Sequence, residues 1–292
     1  MISLPRPSAE PCLSPVTFRV DPERCIRCAE CVTDCPVNIL VIGAEPPTVG
    51  AGRENDCIGC QHCLAVCPTG AVSVQGKNPD DSLPLHDAAL PSLETVELLV
   101  KGRRSVRRYR DEDVDRVLLQ RLLTSALQAP TARNNHQVAF TVVDRRSDMD
   151  RLRRLTMECA AEALRAGTVA ADYGYLRQMV EGWQRYEADL LYRWAPHLLV
   201  ASAPRESAAP FQDTTIALSY FELLARVAGL GVLWNGMAVI ALRLFPELRQ
   251  TIGLPDGQQI GFAMSFGWPA VTYHRTVQHD SVPICWVSET PS

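Results

Sequence analysis

The chain has 292 residues, a hydrophobic fraction of 47% and a formal net charge of −4 at pH 7. This length allows two domains, and no apolar run approaches the roughly 18 residues needed to cross a bilayer. The acidic balance excludes a general nucleic-acid binder, because affinity for phosphate comes from a basic surplus. The N-terminal sequence lacks the positive and apolar regions of a secretory signal, so we expect a soluble, cytoplasmic protein without membrane contact.

Eight of the eleven cysteines fall between positions 25 and 67, in two copies of one pattern. The pattern of CIRCAECVTDCP at 25–36 recurs as CIGCQHCLAVCP at 57–68, and this period of 32 residues indicates a duplicated half-domain. In the spacing C-x2-C-x2-C-x3-C-P, three thiolates bind one four-iron cluster and the fourth reaches the other cluster. The predicted ligand sets are Cys25, Cys28, Cys31 and Cys67 for one cluster, and Cys57, Cys60, Cys63 and Cys35 for the other.

Structural zinc is the alternative metal for these cysteines. Zinc sites group four ligands in pairs, whereas two sets of three cysteines plus one fit two 4Fe-4S clusters better. The remaining cysteines, Cys12, Cys159 and Cys285, stand outside any motif, and we assign them no role. The sequence thus predicts a ferredoxin-like domain over residues 1–76.

A polar, proline-containing segment follows and predicts a linker over residues 77–92, so that a second domain covers 93–292. In that domain we expect a helix capped by Asp113, with Val117, Leu118, Leu122 and Ala126 on its apolar face. Further along the chain, the pattern predicts a strand at 139–143, a long helical stretch at about 148–195, a strand at 197–203, a helix at 213–228 ended by Gly229, and a last strand at 260–266. Long helices between few strands indicate an α+β fold, and the sequence contains no Gly-x-Gly-x-x-Gly dinucleotide fingerprint.

The basic run KGRRSVRRYR at 101–110 allows two interpretations. Guanidinium groups and a hydroxyl could converge on a monoester phosphate, with Arg103, Arg104, Ser105 and Arg107 as the clamp. Most charge runs, however, are simply solvated faces. The neighbouring motifs favour the phosphate clamp.

From this run onward the chain resembles the flavin-dependent nitroreductase superfamily, and specifically its members with an N-terminal two-cluster ferredoxin domain. The motifs that carry the resemblance are, in order, Arg103-Arg104-Ser105-Val106-Arg107, Ala129-Pro130-Thr131-Ala132-Arg133-Asn134, Ala195-Pro196-His197-Leu198, Thr215-Ile216-Ala217, Gly229-Leu230-Gly231 with Trp234, and Gly267-Trp268-Pro269 with Tyr273-His274-Arg275. The resemblance implies an α+β domain that binds FMN at a homodimer interface, fused to a ferredoxin-like domain with two 4Fe-4S clusters.

The same resemblance implies a role for individual residues. The FMN phosphate would be held by Arg103, Arg104, Ser105, Arg107 and Arg275. The isoalloxazine ring would be contacted by Pro130, Thr131 and Asn134, partly from the partner subunit, and the backbone at Leu233, Trp234, Asn235 and Gly236 would face its reactive edge. The family usually continues after Asn134 with a small residue and Gln-Pro, whereas this chain has Asn135-His136-Gln137. His136 is therefore a candidate proton donor to the substrate, and a flavin or backbone contact is its alternative role.

Taken together, these motifs predict an iron-sulfur flavoprotein oxidoreductase. An external low-potential donor such as ferredoxin would reduce the two clusters, which pass electrons to FMN for reduction of a small organic acceptor such as a nitro compound or a quinone. A non-catalytic electron-transfer subunit, relaying electrons through FMN to a partner enzyme, is the alternative. A flavin-binding sensor without turnover is a second alternative, suggested by the altered loop at 135–137.

Overall fold

A computed structural model describes residues 15–85, 90–170, 173–279 and 283–287. The chain divides into two compact units, of which the first comprises Met1–Leu90 with Thr131–His136 and the second comprises Pro91–Pro130 with Gln137–Ser292. Cys12 and part of the predicted linker, at 86–89, lie outside the described residues. Segment 131–136, which the sequence places in the second domain, belongs structurally to the first unit.

The first unit is built from short elements around its cysteines. Strand β1 (Phe18–Val20) pairs antiparallel with β4 (Val72–Val74), and β2 (Leu40–Val41) pairs antiparallel with β3 (Thr48–Val49). Two four-residue helices, α1 (Glu30–Thr33) and α2 (His62–Ala65), each carry the third cysteine of one motif. The small core consists of Cys31, Cys35, Ile39, Leu40, Leu64, Val72 and Val74.

The sequence repeat is also a repeat of backbone conformation. Left-handed φ angles occur at Arg27 and Gly59 (56° and 65°) and at Ala29 and Gln61 (64° and 60°), and each pair is separated by the period of 32. A third such pair, Asn38 and Gly70, has φ angles of 52° and 59°. Because non-glycine residues rarely adopt this conformation, its recurrence at matched positions identifies two copies of one half-domain.

Part of the predicted linker is structured and belongs to the first unit. Residues Pro79–Asp81 form one 3-10 turn, in which Asn78 caps the N–H of Asp80. Both carboxylate oxygens of Asp80 accept hydrogen bonds from Arg24, at 2.9 and 3.0 Å. Arg24 also donates to the carbonyl of Thr69. This part of the predicted linker is thus held in place by a bidentate ion pair, which the composition of the segment does not reveal.

The second unit is an α+β fold around a four-stranded antiparallel sheet. Its strands are β5 (Ala139–Val143), β6 (His197–Pro204), β7 (Gly231–Trp234) and β8 (Gln258–Gly267), in the spatial order β5-β6-β8-β7. Its helices are α3 (Leu93–Gly102), α4 (Arg116–Ala126), α5 (Arg146–Ala166), α6 (Tyr175–Tyr186), α7 (Pro210–Val227), α8 (Gly236–Leu244) and α9 (Pro246–Thr251).

The sheet is buried on both faces. Along β6, Leu198 and Val200 face one core with α5, α6, α8 and α9, while Leu199 and Ala201 face the other core with α4 and α7. Successive side chains of a strand point to opposite faces, so a strand between two helical layers needs a continuous apolar run. This explains the unbroken apolar run at 198–201, which is flanked by the buried polar residues His197 and Ser202.

Several predicted elements are confirmed and others are wrong. The strand at 139–143 is confirmed, and the strands at 197–203 and 260–266 are each slightly longer than predicted. The long helical stretch predicted at about 148–195 is not continuous, because Gly167 ends α5 with a left-handed φ of 67°, and α6 covers only Tyr175–Tyr186. The capping residue of α4 is Asp115 instead of Asp113, and Val117 is exposed. None of the described helices combines the length and apolar character needed to cross a membrane.

Candidate active site

The cysteines of the first unit surround two separate cavities. One cavity is lined by Cys25, Cys28, Cys31 and Cys67. The other is lined by Cys35, Cys57, Cys60 and Cys63. The folded chain therefore brings together the two sets of four that the crossing pattern of the motifs predicts. These eight cysteines carry no disulfide bond.

Crowding and burial oppose ionisation of the thiols in these cavities. Burial, followed by the neighbouring Cys60, Cys57 and Cys35 thiols, raises the pKa of Cys63 to about 12. Burial also raises the pKa of Cys31, with Cys67, Cys28 and Cys25 adding to the effect. Four thiolates can share such a space when a bound metal neutralises them, and two sets of three cysteines plus one fit iron-sulfur clusters.

Zinc and iron-sulfur clusters would use the four sulfurs differently. A tetrahedral zinc ion needs four sulfurs about 2.3 Å from one centre, whereas the ligands of a cubane bind different iron atoms around a larger core. Among the residues that the structure describes, no three His, Cys, Asp or Glu side chains converge on a site for one ion. The cysteine spacing remains the argument for clusters over zinc.

Backbone N–H groups are already directed at two of the cluster sulfurs. The Ala71 N–H donates to Cys67 Sγ at 3.2 Å, and the Gly59 N–H donates to Cys57 Sγ at 3.4 Å. Burial acts to raise the pKa of Cys67, but hydrogen bonds from Ala71 and Thr69 outweigh it and lower the pKa below its usual value. Such bonds stabilise the thiolate, the form that binds iron.

In the second unit, the basic run extends along the exposed edge of β7. The Val106 N–H donates to the Val232 carbonyl at 3.0 Å, and Ser105 forms a parallel bridge with Val232. A Cβ on Gly231 would lie 2.7 Å from the Val106 side chain, so only glycine permits this approach. The Gly229-Leu230-Gly231 motif therefore serves to dock the arginine run, with Gly229 in the left-handed conformation at φ 84°.

This docking forms a basic cleft of about 220 Å³ at the C-terminal end of α3. Its charged side chains are Arg103, Arg104, Arg226 and Glu222. The remaining lining residues are Gly102, Val106, Leu230, Gly231, Val232, Pro269, Val271, Thr272 and Tyr273. The predicted phosphate residues Arg103 and Arg104 thus face one cleft, whereas the side chains of Ser105, Arg107 and Arg275 are outside its lining.

Two charged residues of this cleft, Arg226 and Glu222, were missed by the sequence analysis. Both lie on α7, and Arg226 is in its last turn, directly before the glycine motif. Glu222 is 7% exposed; its Oε1 accepts from Arg103 Nη1 at 3.1 Å and its Oε2 accepts from Trp234 Nε1 at 2.9 Å. A buried acidic residue in an apolar helix was the available signal, since such a residue needs a partner.

The segment predicted to face a flavin ring begins helix α8. Asn235 caps this helix, with Oδ1 accepting from the Ala238 N–H at 2.9 Å. Its Nδ2 donates to the Leu191 carbonyl at 3.0 Å and to Ser265 Oγ at 2.8 Å. Leu233 is buried, while Trp234 and Gly236 are partly exposed. The Asn235 side chain is fully used in fixing the backbone, so any ligand here would meet N–H groups at a helix N-terminus.

The remaining predicted flavin residues lie in and beside segment 131–136. Arg133, Asn134 and His136 all have left-handed φ angles, between 48° and 56°. The His136 N–H donates to Thr131 Oγ1 at 3.0 Å, and Asn134 Nδ2 donates to the Ile58 carbonyl at 3.0 Å. Pro130 and His136 are exposed. The flavin contacts of Pro130, Thr131 and Asn134, and the proton-donor role of His136, stay predictions.

Two family profiles match the chain. Residues 100–268 match the profile described as the Nitroreductase family, and residues 18–74 match a 4Fe-4S dicluster domain. The first match contains the Asn235 cap and most of the residues that line the basic cleft, while the lining residues Pro269, Val271, Thr272 and Tyr273 follow its end. The second contains all eight motif cysteines.

Individual proteins of related sequence and structure agree with these matches. An NADH dehydrogenase from Thermus thermophilus is 30% identical over 193 residues, which are 63% of this chain and 91% of that protein. A protein from Archaeoglobus fulgidus, provisionally described as an NADH dehydrogenase/NAD(P)H nitroreductase, is 25% identical over 61% of this chain and 87% of its own length. A nitroreductase with bound FMN from Bacteroides fragilis superposes with a TM-score of 0.54 at 22% identity, covering 66% of this chain and all of its own. A second FMN-bound nitroreductase, from Desulfitobacterium hafniense, gives a TM-score of 0.53 at 20% identity over 67% of this chain and all of its own.

Proposed function

The chain belongs to the nitroreductase family and carries an N-terminal 4Fe-4S domain, and from that premise we propose that it is an iron-sulfur flavoprotein oxidoreductase. Its two clusters, held by the two sets of four cysteines, would deliver electrons to FMN bound in the second unit. The observation that carries this proposal is the pairing of two four-cysteine cavities with a basic, phosphate-sized cleft in one chain.

The basic cleft suits the phosphate end of FMN. Three guanidinium groups, Arg103, Arg104 and Arg226, and one carboxylate, Glu222, leave a formal surplus of two positive charges in its lining. A phosphate monoester carries nearly two negative charges at pH 7, so the charges match. Ser105, Arg107 and Arg275 are the further predicted ligands that would complete this end of the site.

The N-terminus of α8 suits the ring end of FMN. When bound, FMN accepts electrons singly or in pairs, and it supplies the redox chemistry of the site. The Asn235 cap holds the Trp234–Gly236 backbone rigid through three side-chain hydrogen bonds. N–H groups fixed in this way stabilise negative charge where it develops, and they need no rearrangement to do so.

The first unit supplies the electron input in this proposal. Its thiolates hold iron, and the N–H groups of Ala71 and Gly59 set the charge density on two sulfurs. Two clusters can supply the two electrons that a full two-electron reduction of an organic acceptor needs. The proposed donor is a reduced ferredoxin or a comparable low-potential carrier, and the proposed acceptors are nitro compounds, quinones or similar small molecules.

We further propose that the second unit is a homodimer. Apolar side chains on α3 and on the outer face of α7 are exposed in the single chain, namely Leu93, Leu98, Val100, Tyr220 and Val227. Soluble proteins rarely leave such a surface open to water, and a second copy of the chain would cover it. Sedimentation at micromolar concentration should give twice the mass of the chain, and a flavin-loaded monomer would contradict the proposal.

Anaerobic turnover tests the function as a whole. Protein purified without oxygen should contain iron and FMN, and it should oxidise reduced ferredoxin when a nitroaromatic or quinone is present. Protein that contains both groups but reduces no member of a broad acceptor panel would contradict an enzymatic role.

A further inference from the structure

Among the described residues that line the basic cleft, Glu222 is the single acidic one, and the others are cationic or neutral. It is buried, and each of its carboxylate oxygens has a different partner. Oε1 accepts from Arg103, whose side chain is 36% exposed, and Oε2 accepts from the Trp234 indole. One carboxylate therefore joins the end of α3 to the end of β7.

The two partners of Glu222 belong to the two ends of the proposed flavin site. Arg103 is a predicted phosphate ligand, and Trp234 directly precedes the Asn235 cap at the proposed ring end. A guanidinium has a rigid, planar set of donors, so fixing one edge of Arg103 also fixes the direction of its other N–H groups. The indole N–H of Trp234 is likewise fixed by its bond to the opposite oxygen.

We propose that Glu222 is a positioning residue that orients Arg103 toward the FMN phosphate and holds Trp234 in place at the ring end. This proposal rests on the proposed flavin function of the same site. The carboxylate also offsets the charge of Arg103, so that Arg104 and Arg226 carry the surplus that balances the phosphate.

Electrostatic repulsion alone would give Glu222 the opposite effect on FMN affinity. A carboxylate near a phosphate repels it, so its removal would strengthen FMN binding if repulsion were its main contribution. If Glu222 instead positions Arg103, its removal weakens FMN binding. The two views thus differ in the sign of one measurement.

The test compares FMN with riboflavin, which lacks the phosphate, on the flavin-depleted full-length chain. Glu222→Gln keeps the size of the side chain but removes its charge and one acceptor. We expect it to weaken FMN binding about tenfold and riboflavin binding less than about twofold. Glu97→Gln is the matched control, because Glu97 pairs with Lys101 on the exposed surface of α3, and it should leave both affinities unchanged.

A double-variant cycle with Arg103→Ala separates positioning from a general structural effect. If Glu222 acts through Arg103, the double variant binds FMN no more weakly than Arg103→Ala alone. Additive losses, or tighter FMN binding by Glu222→Gln, would overturn the proposal.

Should Glu222→Gln not fold, Arg103→Lys provides the second measurement. It keeps the charge but not the planar fork, so an unchanged FMN-to-riboflavin affinity ratio in it would likewise overturn the proposal. A wild-type chain with no affinity for FMN would instead refute the proposed function itself.

Discussion

Asn134 Nδ2 donates a hydrogen bond to the main-chain carbonyl of Ile58, with an N–O distance of 3.0 Å. Ile58 lies between Cys57 and Cys60 in the second cysteine motif, and Asn134 lies in the region that matches the nitroreductase profile. Both residues are in the first compact unit. The nitroreductase-matched region thus contributes a residue that supports a cysteine-bearing loop.

Replacing Asn134 with Asp should weaken the cluster that we propose is held by Cys35, Cys57, Cys60 and Cys63. Asp keeps the shape of the side chain but loses the donor, leaving a carboxylate oxygen against the Ile58 carbonyl at a cost of about 1–3 kcal/mol. Iron release to a chelator should become faster for about half of the iron. Uniform release of all iron at the wild-type rate would show that this contact does not support the loop.

Each predicted ligand set can be tested by iron analysis. Anaerobically purified chain should contain about eight irons, and Cys28→Ser or Cys60→Ser should each remove about four. Cys159→Ser is the control, because this cysteine lies on α5 in the second unit and lines neither cavity. Zinc in place of iron, or complete iron loss in both cluster variants, would contradict two separately ligated clusters.

The arginines of the cleft should contribute separately to FMN retention. Arg103→Ala and Arg226→Ala each remove a charge-assisted contact worth about 1.5–3 kcal/mol, so each should purify with less flavin. Arg108→Ala is a suitable control, since Arg108 belongs to the same run but donates to the Ala270 carbonyl at the surface. Full flavin content in both cleft variants would place the phosphate elsewhere.

His197 should make stability depend on pH. It is fully buried, stacks on Phe266, and accepts the Val114 N–H at Nε2 over 2.9 Å. Burial lowers its pKa below the usual value, although Asp113 and Asp144 act in the opposite direction. Because the pKa of His197 is lowered in the folded state, the unfolded state takes up the proton at a higher pH than the folded state does. The contribution of neutral His197 to the free energy of unfolding is therefore complete above about pH 6.5 and is lost as the pH falls below it.

The measurement is the free energy of unfolding of wild type and His197→Gln between pH 7 and pH 5. Gln can still accept from Val114 but does not titrate. The variant should be less stable at pH 7, and the difference should shrink as the pH falls. A constant difference across this range would show that His197 does not titrate on unfolding.

The sequence predicted those features that depend on local spacing. Cysteine spacing predicted the two groups of four cysteines that line the two cavities, because the fourth cysteine of each duplicated motif crosses to the other group. The apolar residues at 198–201 predicted a strand, and β6 is indeed buried on both faces of the sheet.

Features that depend on distant residues were missed. The role of Glu222 depends on its hydrogen bond with Arg103, which is 119 positions away. The role of Asp80 likewise depends on Arg24, which is 56 positions away. The short strand β7 was missed because its four residues are identified by pairing with β8 instead of by periodicity. The break between α5 and α6 was signalled by Gly167, but the aromatic residues that follow it, from Tyr173 to Trp194, continue a helical pattern.

The central claim is that electrons reach the flavin through the clusters, although relatives of this chain are named as NADH dehydrogenases. The most direct measurement is steady-state turnover of the Cys25→Ser, Cys57→Ser double variant that still binds FMN, with reduced ferredoxin or with NADH and NADPH as donors. The account predicts that the wild-type chain is reduced much faster by ferredoxin than by either nicotinamide, and that the double variant loses ferredoxin-driven turnover. If NADH or NADPH drives the double variant at the full wild-type rate, the clusters are not on the catalytic path and the account is wrong.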